Sequence, residues 1–264
     1  MSLPEFQRAL TALVASPKLC RAAVVDPRRF TKEYDLTERE LKRLLYSAQQ
    51  PGMKVCWSLY RANRFGPIHA ILPLTCRALG QYLRRELDAF WNGALPEDLQ
   101  FKSEAERFAS FLRRRAREGQ FELPVVDDLV SFELAMAELR FMPQRQIRET
   151  LARAETLADA TTLVLHPLIR LLHFRHDPER LLSTIIGERP IPADLASGDY
   201  HLLVDGQGEG MAIRLLDARL ADILNAFNLG VPPVLDDSEV RVLLQAGLIA
   251  RWPDKEISSL HRCL

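Results

Sequence analysis

Residues 200–217 read YHLLVDGQGEGMAIRLLD. Two short apolar runs, Leu202-Leu203-Val204 and Ala212–Leu216, flank a loop that holds Gly206, Gly208 and Gly210. Branched residues bounded by a glycine-rich turn predict a β-hairpin. The loop is no phosphate cradle, because no Lys-Ser/Thr follows it and it does not open a strand-to-helix turn. The hairpin decides the fold class, because almost everything before it carries helical periodicity.

Downstream, DARLADILNAFNLG predicts a helix capped by Asp217 and stopped by Gly230. DDSEVRVLLQAG predicts another ending at Gly247, and LIARW a short strand. Helix, turn, helix and strand trace the outline of a winged-helix unit. Upstream, TTLVLHPLIRLLHF (161–174) is rich in Leu, Val and Thr and predicts a buried strand.

The first 150 residues read as helices. Phe6, Leu10, Leu13 and Val14 recur at helical spacing. Thr37 and Glu40 stand in the S/T-x-x-E relation of a capping box, so a helix starts near Glu38, with Leu41, Leu44 and Leu45 as its buried stripe. Ser103 and Glu106 repeat the pattern before a helix that Gly119 stops. In LYRANRFGPIHAILPLTCRAL (59–79), two prolines interrupt the pattern. Each lacks an amide donor, so one helix ends near Arg64, another starts near Pro67, and Pro73 marks a kink or a fresh start. The helix DDLVSFELAMAELRFM has Leu129, Phe132, Met136 and Leu139 as its core side.

The expected class is therefore α+β, with an all-α helical domain over 1–150 and a small α/β winged-helix-like domain over 151–264. At 264 residues, 47% hydrophobic and 27% charged, the chain can bury a core in each. No apolar run reaches the roughly 18 residues of a membrane span, so no membrane partner is expected and the protein reads as cytoplasmic. Cys20, Cys56, Cys76 and Cys263 form no CxxC pair, which excludes a zinc knuckle or a disulfide framework.

Candidate chemistry is sparse. His166, His173 and His176 lie within eleven positions, but no HExxH or carboxylate at ligand spacing accompanies them, so no metal site is expected. Cys56 and Cys76 neighbour Lys54 and Arg77, yet no histidine partner marks either as a nucleophile. With 35 basic and 35 acidic residues, the net charge of zero argues against nucleic acid. A winged-helix DNA-binding transcription regulator stands as the alternative. Its second helix would carry two aspartates, a glutamate and one arginine, a poor match to a phosphate backbone. The remaining reading is protein or peptide binding, in which a sheet edge pairs with an extended peptide.

Several stretches together carry a resemblance: YRANRFGPIHAILPLTCRALG, LPVVDDLVSFELAMAEL, LHPLIRLL and the strand pair with LLV. The chain resembles the MbnC/TglI-type accessory subunits of multinuclear non-haem iron oxidative enzymes, which modify cysteines in ribosomally made peptides. The N-terminal PKLCRAAVVDPRRFTKEYDLTEREL is similar to a small helical module of extradiol dioxygenase small subunits and leader peptides, and places the likeness nearest the 3-thiaglutamate type. The resemblance implies a non-catalytic subunit with no cofactor of its own. Iron would reside in a TIM-barrel partner enzyme, and the second ligand would be a precursor-peptide leader. It further implies that Tyr60, Arg61, Asn63, Phe65 and His69 meet the enzyme. The peptide would lie on Leu202, Leu203 and Val204 or on Met211, Ile213 and Leu215.

Overall fold

The computed structural model describes residues 3–92, 101–121, 123–156, 162–208, 210–231 and 233–252. The chain divides into two compact units between Leu123 and Pro124, earlier than the boundary at 150 expected from composition.

The first unit is helical. Its opening module comprises α1 (Leu3–Ala15), α2 (Pro17–Val25), α3 (Pro27–Glu33) and α4 (Glu38–Gln49). These helices close around Leu13, Cys20, Phe30, Tyr34 and Leu44, with Leu41 and Leu45 packed at the margin. Thr37 caps α4 as its spacing predicts. Its Oγ1 accepts the Glu40 amide at 3.3 Å, while Glu40 Oε2 accepts the Thr37 amide at 2.8 Å. The Thr37 hydroxyl donates to Glu40 Oε2 at 2.7 Å, and this bond, with that from the Thr37 amide, holds the Glu40 carboxyl below its ordinary pKa. Trp57 Nε1 donates to Leu13 O at 3.0 Å and so ties the next helix to this module.

That helix, α5 (Gly52–Ile71), runs unbroken through Pro67. The expectation that a helix ends near Arg64 is thus corrected. A mid-helix proline forfeits one amide bond, and buried packing of Pro67 and Ile68 holds the helix regardless. Pro73 does make a fresh start, at N1 of α6 (Pro73–Leu79). After a 3-10 turn come α7 (Leu83–Trp91) and α8 (Phe101–Arg117), with α5 packing mainly on α8. Ser103 lies inside α8 rather than capping it, so the second expected capping box is also corrected. Lys102 and Glu106 form an i,i+4 pair there instead.

The second unit is mixed. It contains α9 (Val126–Arg140), α10 (Gln144–Thr156), β1 (Thr162–Leu165), β2 (Ile169–His176), α11 (Pro178–Ile186), β3 (Ser197–Asp205), β4 (Ala212–Leu216), α12 (Ala218–Asn228), α13 (Asp237–Gln245) and β5 (Ile249–Trp252). The chain is therefore α+β, helical first and with its strands in the second unit. The hairpin forms as the glycine loop predicts: β3 and β4 are antiparallel, with Leu202 opposite Leu215 and Val204 opposite Ile213. The sheet order is β2-β3-β4, and β1 pairs separately with β5.

The register sorts residues onto two faces. Leu203 joins Leu224 and Phe227 of α12 and Leu243 of α13 in one core. Phe174 lies on the opposite face, where Phe132 of α9 meets it edge-on at 6.3 Å between centroids. The α9 helix therefore belongs with the sheet, which is why the boundary precedes it. Asp217 caps α12 and Asp236 caps α13. Gly230 and Gly247, at φ of +70° and +67°, end these helices in the left-handed conformation that a Cβ disfavours.

Candidate functional site

The residues expected to grip a peptide divide by position. Leu202, Leu203 and Val204 are buried in β3, the central strand, whose backbone is paired on both sides. They offer no edge. The outer strands are β2 and β4, so of the two hairpin strands the edge is β4, which pairs with β3 and packs chiefly on it. Ile213 and Leu215 of β4 are 45% and 60% exposed, on the face that carries Leu202 and Val204. Met211 is half-buried and immediately precedes the strand. Arg214 points to the opposite face and pairs with Asp205 at 2.9 Å. An edge strand with two adjacent apolar side chains on one face can extend the sheet by one strand and seat alternate apolar side chains of a peptide.

The five residues expected at an enzyme interface all lie on α5, in two roles. Asn63 and His69 are exposed, and His69 lies against half-buried Phe65 at 5.5 Å between ring centroids. Tyr60 and Arg61 turn inward instead. Arg61 Nη1 reaches Asp88 Oδ1 at 3.0 Å, and its guanidinium lies 5.6 Å from the Trp91 ring centroid. Tyr60 lies 5.7 Å from the guanidinium of Arg64. Arg64 escaped sequence reasoning: it is buried, bonded by Nε to Glu104 Oε1 at 2.6 Å, while Arg107 reaches the other carboxylate oxygen at 2.6 Å. The outer face of α5 was also missed. Val55, Leu59, Ala62, Gly66 and Ala70 recur there at helical spacing, all exposed and all uncharged. The signal was present as periodicity, but the two prolines masked it.

The histidines do not converge. His166 is buried between β1 and β2, where its Nδ1 accepts the Leu168 amide at 3.2 Å. Burial pulls its pKa down to about 4, against the opposing pull of Asp205. His176 Nδ1 lies 2.7 Å from Asp128 Oδ2, whose second oxygen accepts the Arg175 amide at 3.1 Å. His173 faces solvent, 2.5 Å from Asp199 and across the ladder from His201. Among the described residues no group of three or more His, Cys, Asp or Glu side chains is placed to hold a metal ion.

Among the cysteines, Cys20 and Cys76 are buried and Cys56 is exposed, while Cys263 lies outside the described residues. Cys20 Sγ lies 3.6 Å from Ala48 O, and burial pushes its thiol up. The arginines at the end of α8 serve packing in part. Arg115 bonds Glu86, which is fully buried. No described helix is long and apolar enough to cross a membrane. Compared with known proteins, the chain matches no protein-family model and no curated sequence.

Proposed function

We propose that this chain is a non-catalytic accessory subunit. It binds the leader of a ribosomally synthesised precursor peptide and presents the peptide's cysteine to a partner multinuclear non-haem iron oxidative enzyme in the cytoplasm. The observation that carries the peptide half of this reading is the β4 edge, with Ile213 and Leu215 exposed side by side. An extended leader would add as a fourth strand, its backbone bonded to β4 and its alternate apolar side chains against Ile213 and Leu215. In this reading α12, α13 and β5 form a winged-helix-like element behind the strands. The helix α5 supplies the enzyme contact through Asn63, His69, Phe65 and the uncharged face from Val55 to Ala70, with Tyr60 and Arg61 bracing it from within. Iron belongs to the partner, and this subunit acts by raising the local concentration of the reacting cysteine.

The likeness in YRANRFGPIHAILPLTCRALG supports the accessory role. The acidic start of α13, with Asp236, Asp237 and Glu239, supports a peptide over a DNA backbone. The test is reconstitution from purified chains: this subunit, a multinuclear iron TIM-barrel enzyme and a cysteine-containing precursor peptide. The Ile213→Asp, Leu215→Asp variant should lose peptide affinity by about tenfold or more while still co-eluting with the enzyme. The Leu59→Asp, Asn63→Ala variant should show the reverse. Wild-type chain that binds DNA with steep salt dependence and ignores both partners would sink the proposal.

A further inference from the structure

The groove between α7 and α8 in the helical unit encloses about 490 Å³. Its α8 wall presents Ser103, Arg107, Ser110 and Arg114. These positions follow i, i+4, i+7, i+11, so they form one continuous stripe along the helix. Phe90 of α7 and Phe111 of α8 supply the apolar surface, their ring centroids 5.4 Å apart. Arg114 lies with its guanidinium 5.6 Å from the Phe111 ring centroid and makes no ion pair with any described residue. The hydroxyls of Ser103 and Ser110 likewise make no hydrogen bond to any described residue. Arg107 is held by the buried carboxylate of Glu104 at 2.6 Å and remains about one-third exposed toward the groove. Glu106, also in the lining, is neutralised by Lys102 at 3.4 Å.

We propose that this groove binds an acidic, amphipathic helical peptide whose two carboxylates, seven positions apart, meet Arg107 and Arg114. Seven residues of α8 rise about 10.5 Å and return to nearly the same face. A ligand helix therefore matches both arginines only with acidic residues at i and i+7. Apolar residues between them, at i+3 or i+4, would rest on Phe90 and Phe111. The free hydroxyls and the stacked guanidinium are ready donors, and guanidinium–carboxylate bonding is charge-assisted. A polyphosphate backbone fits poorly, because it needs a continuous run of cations and this stripe offers two arginines separated by Ser110. This site is separate from the β4 edge, and it stands whether or not the chain serves an iron enzyme.

Fluorescence anisotropy with the full chain tests it. The probe is a labelled, end-capped twelve-residue alanine-based helix with two glutamates seven positions apart and leucine and phenylalanine between them. Binding is expected, weakened about tenfold by Arg114→Gln and more by Arg114→Glu, and unchanged by Ile213→Asp at β4. Ser110→Leu, which fills the groove without changing charge, should also weaken it. Lysine in place of the probe's second glutamate should restore affinity for the Arg114→Glu variant. The proposal is overturned if the probe with glutamines binds within about twofold of the original. It is equally overturned if an oligothymidylate of the same length binds more tightly, or if no binding appears up to about 1 mM.

Discussion

Replacing Glu104 by Ala should be among the most damaging single changes in the helical unit. The Glu104 side chain is 1% exposed and that of Arg64 is 3% exposed, and their 2.6 Å contact satisfies a guanidinium that has no water to turn to. Nη1 of Arg64 already lacks a hydrogen-bond partner among the described residues, so the cation has no reserve. Breaking a buried pair by removing one partner costs about 3–5 kcal/mol. The rings of Phe90, Tyr60 and Trp91, 5.3–5.9 Å from the guanidinium, moderate that loss and favour the lower half of the range. Arg107 is less affected, because it can turn to solvent. Arg64→Met should cost a similar amount. The double change Arg64→Met, Glu104→Leu should cost far less than the sum, about 2 kcal/mol or less, because both desolvated charges then leave together. Urea unfolding followed by tryptophan fluorescence in a Trp252→Phe background reports on Trp57 and Trp91 of this unit alone. A Glu104→Ala cost below about 1 kcal/mol, or single costs that simply add in the double variant, would refute the reasoning.

Three further outcomes are expected. His166 has its pKa lowered from 6.5 to about 4 by burial, so the unfolded chain takes up a proton that the folded chain refuses. The stability this histidine contributes is therefore intact above about pH 6.5 and is lost as pH falls toward 4, by about 3 kcal/mol in total. In His166→Asn, whose amide oxygen can accept the Leu168 amide, urea midpoints should lack that part of the acid-side decline. Thr37→Ala should lower the stability of the helical unit by about 1 kcal/mol through loss of the capping box, visible as a shifted urea midpoint at unchanged slope. Asp128→Ala should cost about 2–4 kcal/mol in the second unit, since it strands both the Arg175 amide and His176. A thermal midpoint equal to wild type would show that the Asp128 cluster is not needed to join α9 to β2.

What was legible in the sequence was local. The Thr37–Glu40 box, the Asp217 cap, the glycine stops at 230 and 247 and the β3–β4 hairpin each depend on residues within about a dozen positions. What was not legible depends on distant partners. Pro67 stays inside α5 because buried packing outweighs one missing amide bond. Arg64 reads as part of a polar surface run until Glu104, forty positions away, takes it inside. Composition assigns α9 to the helices before it, but Phe132 and Asp128 find their partners at Phe174 and His176. Either hairpin strand could have been the edge. The pairing of β2 with β3 decides it, burying Leu202–Val204 and leaving Ile213 and Leu215 outside. At the α7–α8 groove, the stripe of Ser103, Arg107, Ser110 and Arg114 is visible as spacing, but its aromatic wall needs Phe90 from another helix.

The pairing of β1 with β5 also sets a schedule for biosynthesis. Leu165 lies opposite Ile249, and the His166 amide donates to Leu248 O at 3.0 Å, so the ladder joins segments more than eighty residues apart. At about 5–20 residues per second, β1 leaves the ribosome several seconds before its partner strand exists. The helices α1–α4 contact near neighbours in sequence and can fold while translation continues, whereas this ladder must close afterwards. During that interval the nascent TLVL strand is an unpaired apolar edge. The vulnerable species is thus a nascent chain that has β1 but not yet β5, and slowing translation near the codons for residues 249–252 should increase its aggregation, whereas slowing it before β1 should not.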